Sequence, residues 1–191
     1  MVPIRASRTW EAITTSPADC NVSALQIPQA IYDQLIAHAR ELAPHECCGL
    51  LAGNNGMVTH CYPVTNVVAL DGAAEASAFD QAKLDHLGRL SPSERAEIAF
   101  VMDPQEMIKA VKDMRRQGLT LQVIYHSHPR DPARPSLTDI TIAMEWEESW
   151  PRINLPLPLY LLISLMEPLH PDIKLYTIRN QGYTEAAYQI A

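Results

Sequence analysis

The part of the chain that says most about its fold is the segment Tyr125-His-Ser-His-Pro-Arg-Asp-Pro-Ala-Arg-Pro-Ser-Leu-Thr-Asp139. Residues 119–125, which lead into it, are rich in β-branched, aliphatic and aromatic side chains and therefore predict a strand. Because side chains alternate between the two faces of a strand, His126 and His128 should point to the same side, about 6–7 Å apart. Pro129 has no N–H to give to a neighbouring strand, so we expect the strand to end there.

The same segment predicts a metal site. Ser136-Leu-Thr-Asp139 has the pattern of a helix start, with Ser136 at the N-cap and an acid three residues later. Alone, these two residues are more simply explained as a cap. Together with His126 and His128 at a strand end, Asp139 supplies a third ligand, and three protein ligands with an open fourth position are typical of catalytic zinc.

Composition limits the function classes. The chain has 191 residues, of which 47% are hydrophobic and 19% charged, as expected for one soluble domain, with room for an insertion or an arm. A net charge of −7 argues against sequence-independent nucleic-acid binding. One basic run is more simply explained as a solvated helix face: Lys109, Lys112, Arg115 and Arg116. No secretory signal and no membrane-spanning stretch is visible, which predicts a cytoplasmic protein whose four cysteines are free thiols.

The order of predicted elements gives an α/β fold, a mixed β-sheet flanked by helices. Residues 1–24 are predicted to be an N-terminal arm or peripheral segment, and residues 25–191 the main domain, with an insertion at about 70–97 that contains a short helix over 81–90. Helices are predicted from Pro28 to Pro44, from Asp103 to Gly118 and over about 137–147. Strands are predicted over 46–53, 57–64, 98–102, 119–125, 159–165 and 173–178, the first two joined by a turn at Asn54-Asn55-Gly56.

A hydrolytic metal site also needs a base to take a proton from water. Glu46 is the strongest candidate, since it stands among Cys, Gly and Leu residues rather than on an obviously solvated face. Taken alone, however, an ordinary carboxylate at a strand edge would be the preferred interpretation.

A family resemblance makes this assignment more specific. Pro44-x-Glu46-x-Cys48-Gly49-Leu50-Leu51-x-Gly53, together with His-x-His, seven residues, Ser, two residues and Asp at 126–139, resembles the JAMM motif of the MPN-domain metalloprotease family. Residues 62–66, 102–106 and 162–165 are similar to its short prokaryotic branch. The resemblance covers about residues 25 to 180 and implies an MPN/JAB-like, cytidine-deaminase-like sandwich.

The resemblance implies a role for each residue. His126, His128 and Asp139 would hold one zinc ion per chain, Glu46 would be the general base for the zinc-bound water, and Ser136 would donate a hydrogen bond to the developing oxyanion. The substrate would be a peptide or isopeptide bond at the extended C-terminal tail of a ubiquitin-like or sulfur-carrier protein. A homodimer, or a complex with conjugation or activation enzymes, stays open.

Several alternatives remain at this stage. The chain would instead be a non-catalytic scaffold of the same fold, or a zinc hydrolase acting on a small molecule. Retention of the five motif residues disfavours the scaffold, and the absence of a Pro-Cys-x-x-Cys signature disfavours a base deaminase. A second metal site would need the hairpin to gather His45, Cys47, His60 and Cys61. Trp146 and Trp150 are better explained as helix anchors than as a binding surface.

Overall fold

The computed structural model describes residues 24–69, 85–149 and 157–191. Residues 1–23 of the predicted arm, residues 70–84 of the predicted insertion, Trp150 and the side chain of Trp146 lie outside this description. The division into arm, domain and insertion therefore stays a prediction. No helix within the described ranges is both long enough and apolar enough to cross a membrane.

The described residues form eight strands and several helices. The strands are β1 (Leu25–Ile27), β2 (Cys48–Asn54), β3 (Met57–Val64), β4 (Thr120–His128), β5 (Leu159–Ser164), β6 (Asp172–Arg179), β7 (Gly182–Ala186) and β8 (Tyr188–Ile190). The helices are α1 (Gln29–Leu42), α2 (Pro92–Ala96), α3 (Pro104–Gln117) and α4 (Leu137–Ser149), with a 3-10 turn at Val67–Ala69 and helical residues at 85–87.

Local signals place most of these boundaries. In α3, the Asp103 side chain accepts hydrogen bonds from the first-turn amides of Gln105 and Glu106, and Gly118 ends the helix with a left-handed φ of 66°. The hairpin turn between β2 and β3 places Asn55 and Gly56 at φ 53° and 74°. Both features were predicted from the sequence and are confirmed.

The strands form one mixed sheet in the order β7-β6-β5-β4-β2-β3-β1-β8. β2 lies near its centre, antiparallel to both β3 and β4, and Cys48 faces His126 across the ladder. β4 and β5 are parallel, whereas β6 and β7 run antiparallel to their neighbours. This register brings the segment that precedes β2 beside the histidines at the end of β4.

The sheet curls until its two edges meet. β7 and β8 stand at opposite ends of the strand order, yet only Ala187 separates them in the chain. One face of the sheet packs against α1, whose buried Ile31, Leu35 and Ala39 lie in one core with side chains of β4 and β5. α3 and α4 cover the other face with a second core. The predicted mixed sheet flanked by helices is confirmed.

The predicted strand over 98–102 is wrong. In this segment only Met102 makes a sheet contact, an isolated bridge to Asn66. The main-chain groups of Ala99 and Val101 are instead hydrogen bonded to the side chain of Asn66. Ala99, Ile98 and Val101 pack in a small separate cluster, whereas Met102 joins the main core and Phe100 stacks on His126.

Candidate metal centre

The end of β4 brings two imidazoles together. His126 and His128 lie on the same face of the strand, as the alternation of side chains predicts, with their ring centroids 4.8 Å apart. Their Nε2 atoms are 3.0 Å apart. Nδ1 of His128 is 2.8 Å from the carbonyl oxygen of Pro132. Because a carbonyl can only accept, Nδ1 is the donor, which leaves Nε2 of His128 directed at the centre.

The first turn of α4 contributes the carboxylate. Oδ1 of Asp139 is 3.2 Å from Nε2 of His126, and Oδ2 is 3.6 Å from Nε2 of His128. The main-chain N–H of Ser136 donates to Oδ2 of Asp139 at 2.7 Å, and Oγ of Ser136 accepts from the main-chain N–H of Asp139 at 3.2 Å. The predicted cap is therefore present, and it holds the carboxylate in position.

These three residues fit a metal ion. Their donor atoms all lie within 4.8 Å of one another, and each residue is at most 7% exposed. Two nitrogen lone pairs and a carboxylate at such distances repel one another unless a proton or a cation lies between them. Two nitrogens and one oxygen are also a donor set of catalytic zinc. The alternative set of His45, Cys47, His60 and Cys61 does not converge as a group in the part of the chain that is described.

Charge and burial set the protonation of the ligands. Burial lowers the pKa of His126 and so favours the neutral, ligating ring. Burial also acts to lower the pKa of His128, but the nearby carboxylates of Asp139 and Glu46 outweigh it and raise that pKa to about 9. Burial acts to raise the pKa of Asp139, whereas the two histidines hold it well below its ordinary value. Because ligation needs the neutral imidazole, a bound metal ion would displace the proton from Nε2 of His128.

Glu46 lies in the same cleft. A cavity of about 310 Å³ is lined by Glu46, His128, Ser136 and Asp139 together with the segment 98–100 and the loop that follows β4. Glu46 is 7% exposed, although it precedes β2 rather than lying within it. The structure therefore brings the predicted base, the predicted oxyanion donor and two of the three predicted ligands to one cleft, with His126 directly behind them.

Two residues that fix the main chain at Glu46 were not assigned a role from the sequence. Nδ2 of Asn66 donates to the carbonyl oxygen of Glu46 at 3.0 Å, and Oγ of Ser127 accepts from the N–H of Cys47 at 2.8 Å. Because side chains alternate along a strand, the sequence could have placed Ser127 on the face of β4 opposite to the two histidines. Its partner Cys47 directly precedes β2. Phe100, also without a predicted role, stacks on His126 with the ring centroids 4.6 Å apart.

The described cysteines are structural. Cys47 and Cys48 pack into different cores on opposite faces of the sheet, as predicted. Burial raises the pKa of Cys47 to about 12 and that of Cys61 to about 11, and it also raises the pKa of Cys48. Protonated thiols are poor nucleophiles, so cysteine catalysis is disfavoured in this cleft.

The family that the motif suggests can now be compared with known proteins. The family model described as prokaryotic homologs of the JAB domain matches residues 28–177. The chain belongs to this family. The sequence-based resemblance is confirmed, and the fold and the convergent residues of this JAB-domain protein agree with it.

Several relatives of this JAB-domain protein have names that describe an activity. A probable TtuB-protein conjugate cleaving protease of Thermus thermophilus is 34% identical over 116 residues, and the match spans 61% of each chain. A CysO-cysteine peptidase of Mycobacterium tuberculosis is 28% identical, over 86% of this chain and 89% of that protein. A desampylase of Haloferax volcanii is 30% identical, over 68% of this chain and 76% of that protein. Their names confirm the prediction of an enzyme, a hydrolase of this family.

A solved structure agrees with the fold. The solution structure of a protein from Desulfitobacterium hafniense has a TM-score of 0.60 and 32% sequence identity, and covers 87% of this chain and 92% of that one. The similarity therefore extends over most of the chain and not only over the motif residues.

Proposed function

We propose that this protein is a zinc-dependent metalloprotease or isopeptidase that hydrolyses the bond at the C-terminal tail of a ubiquitin-like or sulfur-carrier protein. The observation that carries the proposal is the shared cleft, in which Glu46 and Ser136 lie beside the convergent histidines and Asp139. The names of the relatives support the substrate class, since they specify a TtuB–protein conjugate and a CysO–cysteine bond.

The chain's own residues divide the reaction between them. Zinc held by His126, His128 and Asp139 would polarise the scissile carbonyl and lower the pKa of a water molecule. Glu46, which is largely buried, accepts the proton of the attacking water and passes it to the leaving nitrogen. Ser136 accepts the N–H of Asp139 through an oxygen lone pair, so its own hydroxyl proton stays available for the carbonyl oxygen as negative charge develops there.

The shape of the cleft suits an extended tail. One wall is the segment 98–100, and the other is the loop 131–136. A tail that ends in small residues would lie between the two walls, with its last carbonyl at Ser136 and its main chain available for hydrogen bonds. We place this activity in the cytoplasm, which the free thiols of Cys47, Cys48 and Cys61 support.

The test separates metal binding from proton transfer. Glu46→Gln should retain one zinc ion per chain by mass spectrometry and lose at least about a thousandfold in kcat on a Gly-Gly-linked carrier conjugate. His126→Ala should lose the zinc. Glu185→Gln, on the exposed face of β7, is the matched control and should behave as the parent. Full cleavage by Glu46→Gln, or undiminished zinc in His126→Ala, would overturn the proposal.

A further inference from the structure

Arg134 is a cation in the cleft whose charge the hydrolytic mechanism does not use. Arg134 lines the cavity close to Ser136, where the other formally charged lining residues are the acids Glu46, Asp131 and Asp139. Among the residues that the structure describes, no carboxylate lies within 4.0 Å of its guanidinium, and the side chain is exposed. An arginine that lines a reaction cleft without an ion-pair partner is suited to bind an anionic group of the substrate.

The main chain that carries Arg134 is held firmly. The carbonyl of Pro132 accepts hydrogen bonds from His128 Nδ1 and from the N–H of Arg134, at 2.8 and 2.7 Å. The hydroxyl of Tyr176 donates to the carbonyl of Ala133 at 2.6 Å, and Ala133 itself is buried. Pro132 and Pro135 further restrict the loop. Binding an anion would therefore order the side chain alone, which limits the entropic cost.

A second arginine of the same loop provides the contrast. Nη2 of Arg130 is 2.8 Å from Oε2 of Glu97, so this ion pair joins the loop to the opposite wall of the cleft. Arg130 does not line the cavity. Of the two arginines, Arg130 is thus already paired, and Arg134 keeps its donors for a ligand.

The chemistry of the leaving group indicates which anionic group of the substrate Arg134 would bind. The proposed function allows two leaving groups, a single amino acid or the lysine side chain of a protein. In a single amino acid, the α-carboxylate carbon is about 2.5 Å from the leaving nitrogen, close enough for a cation of the same cleft to contact it. In a lysine isopeptide, that nitrogen is followed by four methylene groups and carries no nearby anion. A free arginine in the cleft therefore favours the first class.

We propose that Arg134 binds the α-carboxylate of a single leaving amino acid, so that the preferred substrate is a carrier tail extended by one residue. This specificity rests on the proposed hydrolytic function and names the substrate class of the same site. The planar guanidinium would engage the carboxylate through two parallel N–H···O bonds, and Ser136 and Glu46 act on the adjoining peptide bond.

The experiment compares two substrates that differ only in this charge. A sulfur-carrier protein ending in Gly-Gly is extended by one alanine, either as the free acid or as the C-terminal amide; alanine has no thiol that would bind the metal. The parent enzyme should cleave the free acid with a kcat/KM about ten- to hundredfold higher than the amide. Arg134→Gln should remove this ratio by raising KM for the free acid alone, and Arg134→Lys should restore part of it. Arg130→Gln is the matched control and should keep the ratio.

The outcomes separate this inference from the proposed function. A parent enzyme without preference for the free acid, or an Arg134→Gln variant that loses equally on both substrates, would overturn the carboxylate role while hydrolysis itself stands. Cleavage of a lysine-linked conjugate but not of the alanine-extended carrier would do the same. Failure to cleave any of the three substrates would overturn the proposed function. Binding can also be measured without turnover in the Glu46→Gln variant. Tighter binding of the free acid than of the amide would support the role if the added substitution Arg134→Gln removes that difference.

Discussion

At the scale of single residues, Asn66 connects the candidate base to the wall of the cleft. Its Nδ2 donates to the carbonyl oxygens of Glu46 and Ala99, each at 3.0 Å. Its Oδ1 accepts from the N–H groups of Val68 and Val101, each at 3.1 Å. All four hydrogen bonds that an amide side chain can make are thus formed within the protein. Asn66 therefore links the main chain of Glu46 to the segment that forms the cleft wall, beside the hydrogen bonds that Ala96 and Ser127 make to residues 46 and 47.

Asn66→Asp tests that link, because the substitution keeps the shape of the side chain but replaces two donors by an acceptor. A carboxylate oxygen would then face two carbonyl oxygens. We expect kcat to fall about 10- to 100-fold and the free energy of unfolding to fall by about 2–4 kcal/mol, while the zinc content stays at that of the parent. Asn54→Asp is the control, since Asn54 makes an exposed contact to Gly118, and it should change stability by less than about 1 kcal/mol. An unchanged kcat in Asn66→Asp would show that Glu46 is positioned by other contacts.

The candidate ligands could be predicted from the sequence because their placement is local. Strand alternation fixes His126 relative to His128, and a helix cap fixes Asp139 relative to Ser136. Asn66 and Ser127 act through hydrogen bonds to residues 20 and 80 positions away in the chain. No local pattern encodes such a partner, so their roles follow only from the folded structure.

At the scale of elements, β2 is held between its neighbours by a close contact at Gly49. A Cβ atom at this position would lie 2.5 Å from the hydroxyl of Tyr125 and 2.5 Å from the carbonyl oxygen of Tyr62. The ring of Tyr125 is fully buried, and its hydroxyl is 3.0 Å from Nδ1 of His38. Neither the ring nor the main chain of β3 has room to move away. Glycine is therefore required here by the approach of β3 and β4.

Gly49→Ala should lower the free energy of unfolding by about 1–3 kcal/mol, measured by urea denaturation, because the added methyl group overpacks the sheet. Gly182→Ala offers a matched control in β7, where the nearest heavy atom to the new Cβ would be 3.8 Å away. The stability of that variant should lie within about 0.5 kcal/mol of the parent's. The new methyl group has room, and replacing glycine also lowers the conformational entropy of the unfolded chain. Equal stabilities for the two variants would contradict the packing argument.

Elements with a clear period could be predicted, and short or irregular ones could not. α1, α3 and the long central strands have an apolar spacing that identifies them, and α3 also has a cap at each end. The run 98–102 is equally apolar, and an apolar run alone does not distinguish a strand from an irregular buried segment. β8 has three residues, and β7 five. Such short strands form because they pair with strands elsewhere in the fold. The local sequence does not encode that pairing.

At the scale of the whole molecule, the closed sheet depends on the pairing of β8 with β1. The N–H of Leu25 donates to the carbonyl of Ala187, and the N–H of Ala191 donates to the carbonyl of Ile27. In a parallel pair, every second residue directs its N–H toward the neighbouring strand. With these two hydrogen bonds on either side of it, the N–H of Gln189 therefore points toward β1. The pairing closes the sheet around α1, whereas the metal ligands lie on the opposite face, with α3 and α4. Stability of the closure and chemistry of the site should therefore be separable.

Two substitutions at Gln189 test the closure. Gln189→Pro removes the ladder N–H and should lower the free energy of unfolding by about 2–4 kcal/mol, with faster hydrogen exchange in α1 and β1. Gln189→Ala removes only an exposed side-chain hydrogen bond to Gln26 and should cost less than about 0.5 kcal/mol. Because the site lies on the other face, both variants should keep the zinc content and, below their melting temperatures, the kcat of the parent. Equal hydrogen-exchange rates in α1 for the two variants would mean that α1 keeps its packing without the β8 pairing.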